Sequence, residues 1–453
     1  MIALRRFPEN TGRRLSFYPC ICYTDVTAAL SVLCKGGIAV KRKRWPVRAL
    51  AVCLCMLLCV SPALAYVDVT EQSPYYQAAE DAAKYGLMQG IGGGLFDPDG
   101  TMSRAMFVVA LGRALGVPAS DYTGESPFYD VPSDSWCAPY LTWAEEHGVV
   151  SGVGDGRFLP DAPVTRQEAA VLLLAAYKEA GQGPVGAWML ALDYSDAQEI
   201  DAWAYEGVAY CAIQGIMGDG EGAFRPRDTV TRGEAAVILT AFAVQVLDGL
   251  YQDAVADAVL ADSDEIMPLL TLTLGAELTT WDEEGRVLML SWHRYPESYP
   301  EGQDVTLEDG EVWTFTDGEI RRWYQDNGGD ITAPELRLEQ LIGLPRDKGY
   351  THVSAFWVDP DDLARPAYVT DVTSGSMSNY FVDADPDYLE WFDSNIRWSY
   401  AESSYPWTRL GYTYDWSLYG GEYGLTEFII WPGSTVEVAF TKTTGEFLDW
   451  LAE

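Results

Sequence analysis

Three arginines occupy equivalent places in a phrase that the chain writes three times. The copies are Ser103-Arg104-Ala105-Met106, Thr165-Arg166-Gln167-Glu168 and Thr231-Arg232-Gly233-Glu234. Each opens an apolar run that predicts a helix, with the Arg at the first helical position. A cation there meets the positive end of the helix dipole and is mildly disfavoured. Acidic residues suit the place better, and this chain has 67 Asp and Glu against 30 Lys and Arg. A guanidinium beside the orphan N–H groups of a helix N-terminus makes an anion site, with a carboxylate as the natural ligand. The competing reading is structural: each Arg pairs with an Asp of a neighbouring copy.

The residues flanking the Arg have a local task. A hydroxyl at the N-cap accepts from the amide three residues on, and a Glu there reaches back to the cap amide. Thr165 with Glu168 and Thr231 with Glu234 fit this capping box. Ser103 can cap its helix, but Met106 has no oxygen with which to complete the box.

The elements that must hold these residues repeat as well. An aromatic-x-Asp entry ends at Asp68, Asp130 and Asp196, each at the same interval before its Arg. A first helix follows, with Tyr75, Trp136 or Trp203 near its start, and it stops at Gly86, Gly148 or Gly215, the residue type that tolerates a left-handed cap. A glycine-rich turn then leads into Phe96-Asp97-Pro98, Phe158-Leu159-Pro160 or Phe224-Arg225-Pro226. The second helices, expected over 107–115, 169–177 and 235–246, are apolar nearly all round, which predicts an interior position. One unit cannot bury such a helix, so the three must stack into a common core.

This order of parts resembles surface-layer homology (SLH) repeats, at 66–120, 121–185 and 186–250. The resemblance implies an all-α bundle with pseudo-threefold symmetry that attaches exported proteins to secondary cell-wall polysaccharide, often through a pyruvylated sugar held between repeats. It implies that Arg104, Arg166 and Arg232 meet the sugar-linked carboxylate, while Ser103, Thr165 and Thr231 cap the helices and bond the glycan. Glu168 and Glu234 take the capping role. Two departures stand out: Met106 replaces the motif Glu, and the third glycine turn is a residue shorter. The groove around Arg166 is therefore the one that the resemblance supports most.

The formal net charge is −37. Such a surface repels nucleic acid and anionic membranes and suits an extracellular protein. Residues 41–65 carry a basic start, an apolar stretch too short to span a bilayer comfortably, and Ala63-Leu64-Ala65, which together predict a cleaved signal peptide. Residues 1–40 are then expected to be a start-site artefact, and the processed chain is not an integral membrane protein. Of 8 Cys, only Cys137 and Cys211 lie beyond residue 65, and both are expected to be buried free thiols.

Residues 251–267 are expected to be a linker or loose helix, and 268–453 an α+β domain of no recognised family. There, 269–280 and 286–292 predict a β-hairpin about Asp282-Glu283-Glu284-Gly285. Further strands are expected over 311–315, 350–358, 407–416, 425–431 and 436–441, and helices over 320–323, 334–342, 386–398 and 445–451. Asp383-Ala384-Asp385-Pro386-Asp387 begins like a calcium loop, but Tyr388 stands where such a loop needs Gly and Ser394 where it needs Glu. Asp385 is instead expected to cap a Pro-initiated helix. His293 and His352 lack ligand spacing, and no pattern calls for a metal, a cofactor or a catalytic constellation. Trp391, Trp398, Trp407, Trp416 and Trp431 are read as core rather than as sugar platforms. The expected whole is a secreted wall-anchored protein displaying its second half. A tethered enzyme acting on glycans and an S-layer lattice subunit are the alternatives.

Overall fold

The computed structural model describes residues 66–186, 191–218 and 222–453. The expected signal peptide and start-site artefact lie outside the described residues. The repeat region is helical. Its first helices are α1 (Tyr76–Lys84), α3 (Ala138–Glu146) and α5 (Tyr205–Gln214), and its second helices are α2 (Arg104–Leu115), α4 (Arg166–Glu179) and α6 (Arg232–Asp257). Gly86, Gly148 and Gly215 follow the first helices with φ of 67°, 69° and 69°, as the stop signals predict.

The residue before each N-cap closes a ring of main-chain hydrogen bonds. Met102 N–H donates to Val230 O (3.1 Å), Val230 N–H to Val164 O (3.0 Å), and Val164 N–H to Met102 O (3.0 Å). All three are buried, next to one shared core that includes Phe107, Leu173 and Phe242. Stacking therefore supplies what the single helices lack. Cys137 and Cys211 are buried free thiols.

Helix α6 does not stop at residue 250. It runs to Asp257, so the expected linker boundary falls inside it. Tyr251, Ala254 and Val255 are buried there with Trp416 of the second half, and Tyr251 O–H donates to Ser404 O at 2.8 Å. By length and composition this helix would cross a bilayer, but much of its apolar window is buried within the protein.

The second half contains sheets and helices, as expected of an α+β region. Its strands are β1 (Val287–His293), β2 (Asp304–Thr306), β3 (Val312–Thr316), β4 (His352–Val358), β5 (Leu363–Ala364), β6 (Tyr412–Tyr414), β7 (Tyr423–Thr426), β8 (Phe428–Ile430) and β9 (Thr435–Thr443). A seven-stranded antiparallel sheet has the order β2-β9-β4-β1-β3-β8-β5, and β6 pairs with β7 alone. Helices α7 (Asp317–Asn327), α8 (Pro334–Leu341), α9 (Pro386–Arg397) and α10 (Thr444–Ala452) complete the region. Asp385 caps α9, its Oδ1 accepting from Asp387 N–H at 2.8 Å.

The predicted hairpin is corrected. Residues 269–280 form no strand, and only a Trp281–Val287 bridge joins across the turn. Leu269 and Leu272 instead donate to Gly375 O and Val372 O, so the alternation marks a half-buried loop pair. The 407–416 strand shrinks to β6 because Arg409 adopts φ 61° and Gly411 φ 84°.

Candidate functional site

Each repeat builds half of a junction with the next. The entry Asp first fixes the Phe-x-Pro turn: Asp130 Oδ1 accepts from Phe158 N–H (2.9 Å) and Oδ2 from Leu159 N–H (2.8 Å). Asp68 does the same for Phe96 and Asp97, and Asp196 for Phe224 and Arg225. The clamp holds Asp97, Leu159 and Arg225 at φ 59°, 60° and 58°, a left-handed conformation costly for non-glycine residues. Burial pushes the Asp68 and Asp130 carboxyls up, yet the amides they accept from pull both below the usual carboxylate range. The sequence announces this clamp only as a repeated interval.

The Phe carbonyl of each turn then accepts from the Arg of another repeat. Arg104 Nε donates to Phe158 O (3.1 Å), Arg166 Nε to Phe224 O (2.8 Å) and Arg232 Nε to Phe96 O (2.9 Å). Each guanidinium also lies over the ring of that Phe, at 4.8, 5.1 and 5.0 Å from the centroid. The relation is cyclic: first repeat onto second, second onto third, third onto first. Cation–π stacking and a charge-assisted bond to a carbonyl fix the direction of every guanidinium.

The hydroxyls cap as expected. Ser103 accepts from Met106 N–H (3.2 Å), Thr165 from Glu168 N–H (3.4 Å) and Thr231 from Glu234 N–H (3.2 Å). Glu168 and Glu234 complete their boxes through Oε2. The orphan-amide part of the expectation fails. The first two helical amides donate to the next repeat's loop: Arg104 to Ala162 O, Ala105 to Pro160 O, Arg166 to Asp228 O, Gln167 to Pro226 O, Arg232 to Gly100 O and Gly233 to Pro98 O. With the third amide on the cap, the guanidinium and not the helix N-terminus is the charged donor at each junction.

The three guanidinia differ in their counter-charges. Arg104 Nη1 meets Glu168 Oε1 at 2.8 Å. Arg166 Nη1 is 3.8 Å from Glu234 Oε1, which Arg225 shares at 3.4 Å. The partner of Arg232 would stand at position 106, which is Met; among the described residues Arg232 forms no ion pair. Its Nη2 donates to Gln89 O at 2.8 Å, and its side chain is buried. Burial lowers the pKa of Arg232 and Arg166, and Asp97 and Asp68 act on Arg232 only from longer range. The competing reading is therefore half right: an acid of the next repeat is the partner, but it is the capping Glu and not an Asp.

Elsewhere, Asp257, Glu265 and Glu422 bring carboxylate oxygens within 4.8 Å of one another. Two of these residues are exposed, which is ordinary in so acidic a chain. His293 is buried and structural: Nδ1 accepts from Tyr295 N–H (3.0 Å) and Nε2 bonds Ser354 Oγ (2.7 Å).

Residues 65–106, 127–170 and 193–236 match the S-layer homology domain, and the C-terminal half has no family match. Over 233 residues the chain is 28% identical to an endoglucanase of Bacillus sp. (strain KSM-635), covering 51% of this chain and 24% of that protein. It is 29% identical over 168 residues to the surface-layer 125 kDa protein of Lysinibacillus sphaericus, covering 36% and 14%. With the cellulosome-anchoring protein of Acetivibrio thermocellus it shares 26% identity over 157 residues, 34% of each chain. The chain thus spans only a minor part of these relatives' length. Three S-layer homology domains make this a bacterial protein of the cell surface.

Proposed function

We propose that residues 66–250 form a pseudo-threefold bundle that anchors the chain non-covalently to an acidic secondary cell-wall polysaccharide, with the second half displayed from it. The cyclic bonds among Met102, Val164 and Val230 support the symmetric reading. The observation that carries the binding reading is the Arg232 junction. Its guanidinium is aimed by Phe96 O and Gln89 O yet has no ion-pair partner among the described residues, so a carboxylate on a pyruvylated sugar would supply the missing charge. Ser103, Arg104, Thr165, Arg166 and Thr231 serve the same ligand at the other grooves. There Glu168 and Glu234 compete with it, so the Arg232 groove, and not that of Arg166, is the strongest.

The test is sedimentation with purified wall polysaccharide. Met106→Glu leaves every Arg in place and supplies Arg232 with an internal partner. The variant should be retained markedly less than wild type. Equal retention, with wild-type binding intact, would sink the assignment of this groove.

A further inference from the structure

The second half contains a cavity of about 320 Å³ that the anchoring reading does not use. It opens where two neighbouring strands part. Strands β1 and β3 pair only at Met289–Thr316 and Leu290–Phe315. Beyond that point β1 stays on β4 as far as His293, while β3 stays on β8 from Val312 to Thr314. The fork between them is lined by Trp292 and Tyr350 on one side and Trp313 and Trp407 on the other, with Trp398 and Tyr405 contributing a further wall. The rings are fixed against each other: Trp292 is edge-on to Tyr350 at 5.6 Å, Trp313 edge-on to Trp407 at 6.1 Å, and Trp398 stacked on Tyr405 at 5.0 Å.

The polar chemistry of the lining is one-sided. It includes the carboxyl groups of Glu311 and Glu427 and no Lys or Arg. His293 lines it too, but its Nδ1 already accepts an amide and burial holds its pKa down at about 4, so it brings no charge. Glu427 Oε2 is sealed from solvent and has no hydrogen-bond partner among the described residues. Burial pushes this carboxyl up to about 8, because nothing nearby stabilises its charge. Glu427 as a whole is only partly buried, but its sealed and unpartnered Oε2 leaves acceptor capacity beside the ring faces.

The same rings already attract cations from outside the lining. Lys348 Nζ lies 4.8 Å from the Tyr405 centroid, and the Arg294 guanidinium 5.5 Å from that of Tyr350. A neutral sugar fits the cavity less well. Of the planar groups that grip vicinal hydroxyls in pairs, the lining offers only the carboxyls of Glu311 and Glu427, with no Asp, Asn, Gln or Arg side chain to donate to a sugar's oxygens.

We propose that this cavity binds an organic cation, an ammonium or quaternary ammonium group seated against the tryptophan and tyrosine rings with Glu427 as its counter-ion. Aromatic faces attract such a cation through the ring quadrupole, and desolvation strengthens the attraction. The acidity of the whole chain raises the local cation concentration at the mouth.

The experiment is calorimetric titration of the full secreted chain with choline, with its uncharged carbon isostere 3,3-dimethylbutan-1-ol, and with glucose. Choline should bind saturably and quench tryptophan fluorescence, and the isostere should bind at least about tenfold more weakly. Glu427→Gln keeps the shape of a side chain that is neutral in the empty cavity, so the variant should fold, and it should lose about tenfold in choline affinity. Its retention on wall polysaccharide should be unchanged, which separates this site from the repeats. Absence of saturable choline binding, equal binding of the isostere, preferential binding of glucose, or an unaltered affinity in a folded Glu427→Gln variant would each overturn the proposal.

Discussion

Glu168 closes its own helix with one carboxylate oxygen and holds Arg104 of the preceding repeat with the other, at 2.8 Å. Capping and inter-repeat pairing are therefore one residue's work, and Met106 forfeits both at once. Met106→Glu should complete the box on α2 and bring a carboxylate to Arg232. The expected gain is about 1 kcal/mol, of the size of a cap plus a partly buried pair. The midpoint of urea unfolding should rise in the variant whose polysaccharide retention falls. A lower midpoint would mean that position 106 does not face Arg232.

The Asp clamps are the second place where the repeats can be tested. Asp130→Ala leaves the Phe158 and Leu159 amides without their acceptor and removes what holds Leu159 left-handed. Two amides lost from a partly buried turn cost about 2–4 kcal/mol. Asp155→Ala is the control, because its bond to Arg157 lies on the solvent-exposed surface and should contribute little to stability. Denaturant midpoints of the two variants should differ accordingly.

The repeat region was legible because its signals are local. A hydroxyl three residues before Glu predicts a cap, and glycine predicts a left-handed stop; both features appear at Thr165, Thr231, Gly86, Gly148 and Gly215. What closes the repeats on one another was not legible. The partner of Arg104 is 64 residues away and the acceptor of Arg232 Nε is 136 residues away, and no local pattern marks either. The second half was harder for the same reason. Alternation over residues 269–280 fits a strand, but those residues meet the 372–375 loop in place of a sheet edge. The aromatic excess also gave no separation of roles: Trp416 and Trp407 are buried as read, Trp398 is exposed, and both Trp398 and Trp407 line the cavity.

The two halves are joined by polar contacts that mutation can loosen. Trp143, fully buried in the repeat core, donates Nε1–H to Tyr419 O–H at 2.8 Å, and that hydroxyl donates to Glu179 at 2.8 Å. Arg346 grips Asp248 through Nε (2.6 Å) and Nη2 (3.1 Å). Tyr419→Phe strands the indole N–H and should cost about 1–3 kcal/mol. Combined with Arg346→Ala, it should split a single calorimetric transition into two. One sharp transition in the double variant would show that the apolar contact of Tyr251 with Trp416 suffices to couple the halves.

The pH dependence of stability follows from the buried acids. Burial raises Glu319 and Glu339 to about 7 and Glu427 to about 8, from an ordinary value of 4.5. Between about pH 5 and pH 8 the folded chain holds protons that the unfolded chain has released, so unfolding becomes easier as pH rises through that window. A tenfold difference in proton affinity between the two states is worth about 1.4 kcal/mol, and the summed loss should reach about 3 kcal/mol or more by pH 8. At the acid end the sign reverses. Asp68 and Asp130 are held below their ordinary value of 3.8, and their contribution, complete above about pH 5, is lost as pH falls through the folded values. Stability should therefore peak near pH 5, by thermal melts from acid to alkaline buffer, and Glu427→Gln should flatten the upper limb without moving the lower one. Melting temperatures that stay level from pH 5 to pH 8 would mean that these carboxyl groups find charge partners in solution, and the first to suspect is a cation bound at Glu427.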